Sequence, residues 1–185
     1  ASMKDLKALK FQTRNIKSLL DENAIEKVKP GLYRISSPKY FKGVNLSFMD
    51  VCNAVPSCVI CLGSAISFYN LSTFNPSEVH IAVPNSEKPV NLFYPPVKYY
   101  FFRKTQYDTG QSTIKTKYGD IRIFDIEKTV CDIFRFRSTF GDDIALEVLS
   151  NYTKRKDVNY FKLLKYSKIC RINTVVESYL KGMIL

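Results

Sequence analysis

Apolar residues along the first third of the chain keep a spacing of three and four, then switch to alternation. Leu6 and Leu9 mark one helical edge, and Ile16, Leu19 and Leu20 a second. Ser2 followed three residues later by Asp5 reads as a capping box; Thr13 can cap the second helix, and Asn23 suits its end. Residues 25–28 and 32–35 read as short strands. The connection Lys29-Pro30-Gly31 places a fixed φ before a residue that accepts positive φ.

Residues 36–43 form a short basic linker, and a longer pattern begins at Val44. Ser47-Phe48-Met49-Asp50 predicts a capped helix to about Val55, ended by Pro56-Ser57. The apolar run 59–69 predicts a helix in which Gly63, Ser64 and Ala65 permit close packing. Alternation predicts strands over 78–83 and 97–102, a short helix over 104–109, and a hairpin of 112–117 with 120–124 across Tyr118-Gly119. Helical spacing then covers 126–136, 142–152, 159–169 and 174 onward.

The expected fold class is α+β. A partial winged helix-turn-helix over residues 1–37 precedes a larger α/β domain over 44–185, with a mixed or antiparallel sheet and a helical C-terminal part. Hairpins among helices, instead of a regular βαβ run, favour this over a doubly wound sheet. A winged helix carries three helices before its wing, and two fit here. The first is expected upstream, or its packing is supplied by another segment.

Charge gives the pattern a direction. The 185 residues carry a formal net charge of +11. Through Lys42 there are 10 basic and 4 acidic residues; from Phe101 onward there are 16 and 10; the middle is nearly neutral. Such a field suits a polyanion, most simply nucleic acid. On the second helix Gln12, Thr13, Arg14, Lys17 and Ser18 can share the face opposite Ile16, Leu19 and Leu20. Arg14 can pair with guanine edges, and Gln12 or Asn15 with adenine. Lys27, Lys29 and Arg34 on the ribbon suit phosphate or minor-groove contact. About six neutralised phosphates would give a salt slope near −5. Arg135 and Arg137, joined by Lys154, Arg155 and Lys156, form a second basic group that either touches nucleic acid or matches helix C-terminal dipoles.

Other chemistry finds less in the sequence, and no catalytic residue, metal ligand or cofactor is assigned. The carboxylates of Asp125, Glu127 and Asp132, with Lys128 nearby, could hold Mg²⁺ and activate water in a nuclease fused to a DNA-binding module. Helix capping by Asp125 and an i,i+4 pair between Lys128 and Asp132 explain the same residues more simply. His80 reads as a hydrogen-bonded structural histidine. Ser57 and Ser64 lack a G-x-S-x-G setting, and no Walker loop surrounds Gly63. Cys58 and Cys61 form a lone C-x-x-C, read as core residues of a helix. Five cysteines in apolar sequence point to a reducing compartment, hence the cytoplasm, and no apolar run approaches the ~20 residues of a membrane span.

VKPGLYRI, SAISFYNLS, SEVHIAVP, YPPVKYYFF and IEKTVCDIFRFR follow one another in an order that resembles AbiEi-type antitoxins of type IV toxin–antitoxin (abortive phage infection) systems. The resemblance runs from about Lys4 to Leu180. It implies a DNA-binding antitoxin that binds inverted repeats in its own operon promoter as a transcriptional repressor. The larger domain would counteract a nucleotidyltransferase-type toxin without a stable complex. It implies neither an enzyme nor a membrane partner. A plain transcriptional regulator with a ligand-sensing or dimerisation domain stands as a further alternative.

Overall fold

The computed structural model describes residues 1–36, 46–116 and 119–184. Beyond Ser36 the expected linker lies outside the described residues, as do Lys117 and Tyr118 of the expected hairpin turn. The chain is α+β, with a two-stranded and a five-stranded mixed sheet among the described residues.

Two short helices open it, α1 (Met3–Ala8) and α2 (Thr13–Asp21). Ser2 and Asp5 form the expected capping box. At α2 the cap is Gln12 instead of Thr13, because the Asn15 carboxamide oxygen accepts the Gln12 N–H at 3.2 Å. Strands β1 (Ile25–Lys29) and β2 (Leu32–Ile35) pair antiparallel across Pro30-Gly31, with Gly31 at φ +76°. The N-terminal backbone closes against this ribbon: Tyr33 N–H donates to Ala1 O at 2.9 Å and Met3 N–H to Gly31 O at 2.7 Å.

Helix α3 (Leu46–Ala54) starts one residue before the expected Ser47 cap, so Ser47 sits inside its first turn. The run 59–69 is not one helix. It divides into a buried strand β3 (Val59–Ile60) and α4 (Leu62–Phe68), with Cys61 capping α4 and Leu62 at φ +45°. A continuous apolar run cannot by itself separate a strand buried on both faces from a buried helix. Sheet pairing decides it. Val59 faces Ala82 and Ile60 faces Ile81 in antiparallel β4 (Val79–Pro84), while Ile60 also pairs with Ile123 of parallel β7 (Gly119–Phe124).

Strand β5 (Val97–Phe102) runs parallel to β4, and β6 (Gln111–Thr116) antiparallel to β7, giving the order β5-β4-β3-β7-β6. Helix α5 (Lys104–Asp108) links β5 to β6. The strands alternate between two cores. Ile60, Ile81, Val83, Ile121 and Ile123 join α3 and Val28 of the ribbon on one face. Val59, Ala82, Phe102 and Phe124 join α4, α6 (Ile126–Arg135), α8 (Asp142–Thr153), α9 (Tyr160–Ile169) and α10 (Asn173–Ile184) on the other. The short turn α7 (Arg137–Phe140) connects α6 to α8.

Candidate nucleic-acid interface

Helix α2 is divided by its own periodicity. Ile16 is buried and Leu19 and Leu20 are half-buried, whereas Gln12, Thr13, Arg14, Lys17 and Ser18 are exposed. Arg14 and Lys17 lie three residues apart, hence one above the other on the same face. Ser18 Oγ is engaged, donating to Glu22 Oε1 at 2.6 Å. Asn15, exposed, holds the Gln12 N–H described above.

The ribbon's three cations behave differently from one another. Lys27 is exposed, its ammonium 5.5 Å from the Phe93 ring centroid. Lys29 turns inward and donates to Ala54 O at the end of α3, at 2.6 Å. Arg34 is clamped: Nε and Nη2 donate to Glu26 at 2.9 and 2.6 Å, and Nη1 donates to Asp50 of α3 at 2.8 Å. Its guanidinium lies 4.6 Å from the Tyr94 centroid. Burial pushes the Asp50 carboxyl above its usual range, with Arg34 acting against it. Pairing with Glu26 and Asp50 outweighs burial for Arg34 and raises its pKa. Together with the bond from Phe93 N–H to Val28 O (2.9 Å), these contacts fasten the ribbon to the larger unit. Of the first unit's expected site, Arg14, Lys17 and Lys27 form no ion pair among the described residues, while Lys29 and Arg34 hold the ribbon in place. Beneath the ribbon, Leu6, Leu19, Ile25 and Leu32 line an apolar cavity of about 390 Å³ together with Leu46 and Met49 of α3.

The second basic group is split. Arg137 pairs with Asp142 at the start of α8 at 3.5 Å, and Lys154 caps its end. The 12 residues of α8 span about 18 Å at ~1.5 Å per residue, so the two halves do not meet. Arg135 lies over Phe102 and Phe136, at 5.3 and 5.1 Å, with its Nη1 buried and unpartnered among the described residues. Arg155 pairs with Asp157 at 2.8 Å, and Lys154 and Lys156 are exposed.

The carboxylates on α6 are occupied. Asp125 caps the helix at Lys128 N–H (2.9 Å), and Lys162 from α9 reaches both Asp125 (3.1 Å) and Glu127 (3.0 Å). Tyr152 donates to Glu127 at 3.2 Å. Lys128 and Asp132 form a fully buried pair, the ammonium 4.1 Å from the Phe124 centroid. Among the described residues no group of three or more His, Cys, Asp or Glu is placed to hold a metal ion.

Two expectations need correction. His80 is buried, but its ring makes no hydrogen bond to any described residue; its backbone N–H donates to Ser64 Oγ at 2.9 Å. Cys58 and Cys61 are buried core residues, but they flank β3 and belong to opposite cores. The near neighbour of Cys58 is Cys52, with the two sulfurs 3.7 Å apart. No signal in the sequence singled out Glu26 or Lys162, and Asp50 was read only as part of a helix cap, since each partner lies on another element.

Among the described residues no helix is long and apolar enough to cross a membrane. Neither a protein-family model nor a curated protein matches the chain.

Proposed function

We propose that the chain binds duplex DNA through α2 and its neighbouring ribbon, as an antitoxin of the AbiEi type that represses its own toxin–antitoxin operon. The N-terminal unit is read as a partial winged helix-turn-helix. The observation that carries this reading is the pair Arg14 and Lys17, exposed one turn apart on a helix whose opposite face is buried by Ile16. Lys27 is exposed on the ribbon that follows α2, and a cationic helix with a cationic ribbon fits a groove and its flanking phosphates. Gln12 and Thr13 sit at the helix N-terminus, where HTH recognition helices present their base-reading residues.

The larger α/β domain is read as the antitoxin part, acting against a nucleotidyltransferase-type toxin. That role rests on the ordered motifs alone. The cytoplasm is its expected compartment.

A mobility-shift assay with the chain's own upstream promoter tests the DNA reading. Wild type should shift a fragment carrying the inverted repeat at lower concentration than a scrambled one. Arg14→Ala/Lys17→Ala should lose the shift with circular dichroism unchanged; an undiminished shift rejects the assignment. Co-expression with the neighbouring toxin, scored as growth rescue by the full chain, tests the antitoxin part separately.

A further inference from the structure

The chain reverses at the end of α3 and brings two thiols into contact. The helix stops at Ala54, and Val55-Pro56-Ser57 turn the backbone so that Cys58 N–H donates to Val55 O at 2.9 Å. Two side chains fix this turn: the Tyr107 hydroxyl donates to Ser57 O, and Arg122 Nη2 donates to Val55 O at 3.3 Å. Cys58 returns against the helix it has just left, and its S–H donates to Cys52 Sγ at 3.7 Å. A disulfide holds its sulfurs at about 2.05 Å, so closing the gap takes roughly 1.7 Å, the scale of a side-chain rotation. The C-x-x-C spacing would pair Cys58 with Cys61 instead, but strand β3 between them sends those two into opposite cores.

The two sulfurs of the close pair are not equivalent. Cys52 is 6% exposed and Cys58 0%, so a small solute arriving from solvent meets Cys52 first. The hydrogen bond from Cys58 lowers the Cys52 pKa, against burial and with the help of the Arg122 charge. The same bond and burial push the Cys58 thiol up. A thiolate-prone sulfur touching a buried thiol suits a division of labour in which one attacks an oxidant and the other resolves the product. Cys52 also sits between Asp50 and Ala54, the α3 residues that hold Arg34 and Lys29. A bond at Cys52 therefore ties the helix that carries the ribbon to the start of β3.

We propose that Cys52 and Cys58 form a dithiol oxidised by hydrogen peroxide, with Cys52 as the attacking sulfur and Cys58 as the resolving one. Cys52 gives its proton to solvent, and the thiolate attacks one oxygen of the peroxide. The O–O bond breaks, leaving sulfenic acid on Cys52 and a hydroxide that takes up a proton to become water. The Cys58 sulfur then attacks the Cys52 sulfur. The S–O bond breaks, and the departing hydroxide takes the Cys58 proton and leaves as a second water. Overall, two thiols and one peroxide give one disulfide and two waters; each sulfur loses one electron and the peroxide gains both. A small dithiol reverses the bond by exchange.

The folded full chain, reduced and freed of reductant, is treated with hydrogen peroxide, then unfolded in an alkylating reagent and weighed whole by mass spectrometry. Two of the five cysteines should escape alkylation, and dithiothreitol should restore both. Fragmentation of the wild-type peptide locates the bridge without any substitution: no backbone fragment should end between Cys52 and Cys58, while fragments ending between Cys58 and Cys61 remain. Cys61→Ala should still close the bridge, and Cys52→Ala and Cys58→Ala should not, with circular dichroism confirming the fold of each. In Cys58→Ala the reaction should halt at sulfenic acid on Cys52, trapped by dimedone. Full alkylation after peroxide, a bridge mapped to Cys58 and Cys61, or oxidation that requires prior unfolding in urea overturns the proposal. Dimedone labelling of Cys58 in Cys52→Ala as fast as that of Cys52 in Cys58→Ala overturns the order of attack. Because no step here involves α2, failure leaves the DNA reading untouched.

Discussion

Replacing Asp132 by Asn tests how the core of the larger unit is held together. The Asp132 carboxylate and the Lys128 ammonium are both fully buried and stand one helical turn apart on α6. Burial pushes the Asp132 pKa up, and Lys128 works against that shift; Cys170 Sγ donates to the other carboxylate oxygen at 3.8 Å. Asparagine keeps the volume but removes the charge, leaving the ammonium with a neutral carboxamide and the faces of Phe124 and Phe102, at 4.1 and 4.8 Å. Stranding one member of a buried pair costs about 3–5 kcal/mol. For a domain of this size that lowers the melting temperature by roughly 6–20 °C. Replacing both, Lys128→Met with Asp132→Leu, removes both desolvation penalties and should recover most of the loss, about neutral to a few kcal/mol stabilising. Urea unfolding of the wild type, Lys128→Met, Asp132→Leu and the double variant, followed by far-UV circular dichroism, closes the cycle. A coupling of about 2 kcal/mol or more is expected. Single variants within about 1 kcal/mol of wild type, or strict additivity across the cycle, would refute the reasoning.

Three other outcomes follow from the same geometry. Arg34→Ala removes the clamp between Glu26, Asp50 and Tyr94; it should cost about 1–3 kcal/mol and raise amide exchange in β1 and β2 selectively, read by hydrogen-exchange mass spectrometry. Burial, aided by Lys98, holds His80 at about 4, below its ordinary 6.5, so the folded state binds fewer protons there than the unfolded one. Its contribution is present in full above 6.5 and is lost as pH falls from 6.5 towards 4, a loss of about 3 kcal/mol that His80→Gln should abolish in urea melts at pH 7 and pH 4.5. Gly63→Ala drives a methyl to 2.7 Å from Phe74 and 2.8 Å from His80, and should destabilise by about 1–3 kcal/mol in thermal melts.

Local sequence disclosed what local contacts control. The helices from Ile126 onward follow their apolar spacing, and the Lys128–Asp132 pair was legible because its members lie i,i+4 on one helix. The exposed face of α2 was legible for the same reason, being set by Ile16, Leu19 and Leu20. Strand β3 was hidden: Val59 and Ile60 are apolar on both sides because both sides are covered, which erases the alternation that marks a strand. The internal use of Lys29 and Arg34 was hidden for a different reason. Their partners Ala54 and Asp50 lie 25 and 16 residues away on α3, and nothing in a basic ribbon says which of its cations face inward. Arg137 and Lys154 are close enough in sequence to suggest one patch, yet they lie at opposite ends of α8. The contact of Cys58 with Cys52 required the chain reversal after α3, which the C-x-x-C spacing does not encode.

The salt dependence of promoter binding tests the DNA surface most directly. With Lys29 and Arg34 turned inward, Arg14, Lys17 and Lys27 remain to neutralise phosphates. Fluorescence anisotropy across a series of KCl concentrations should give a slope of log K against log[salt] near about −3, in place of the −5 expected when all of the ribbon's cations contribute. In the single variants Arg14→Ala and Lys17→Ala it should flatten to about −2. Single variants with the wild-type slope, or a wild-type protein whose affinity for the inverted repeat does not exceed that for a scrambled duplex, would contradict the account.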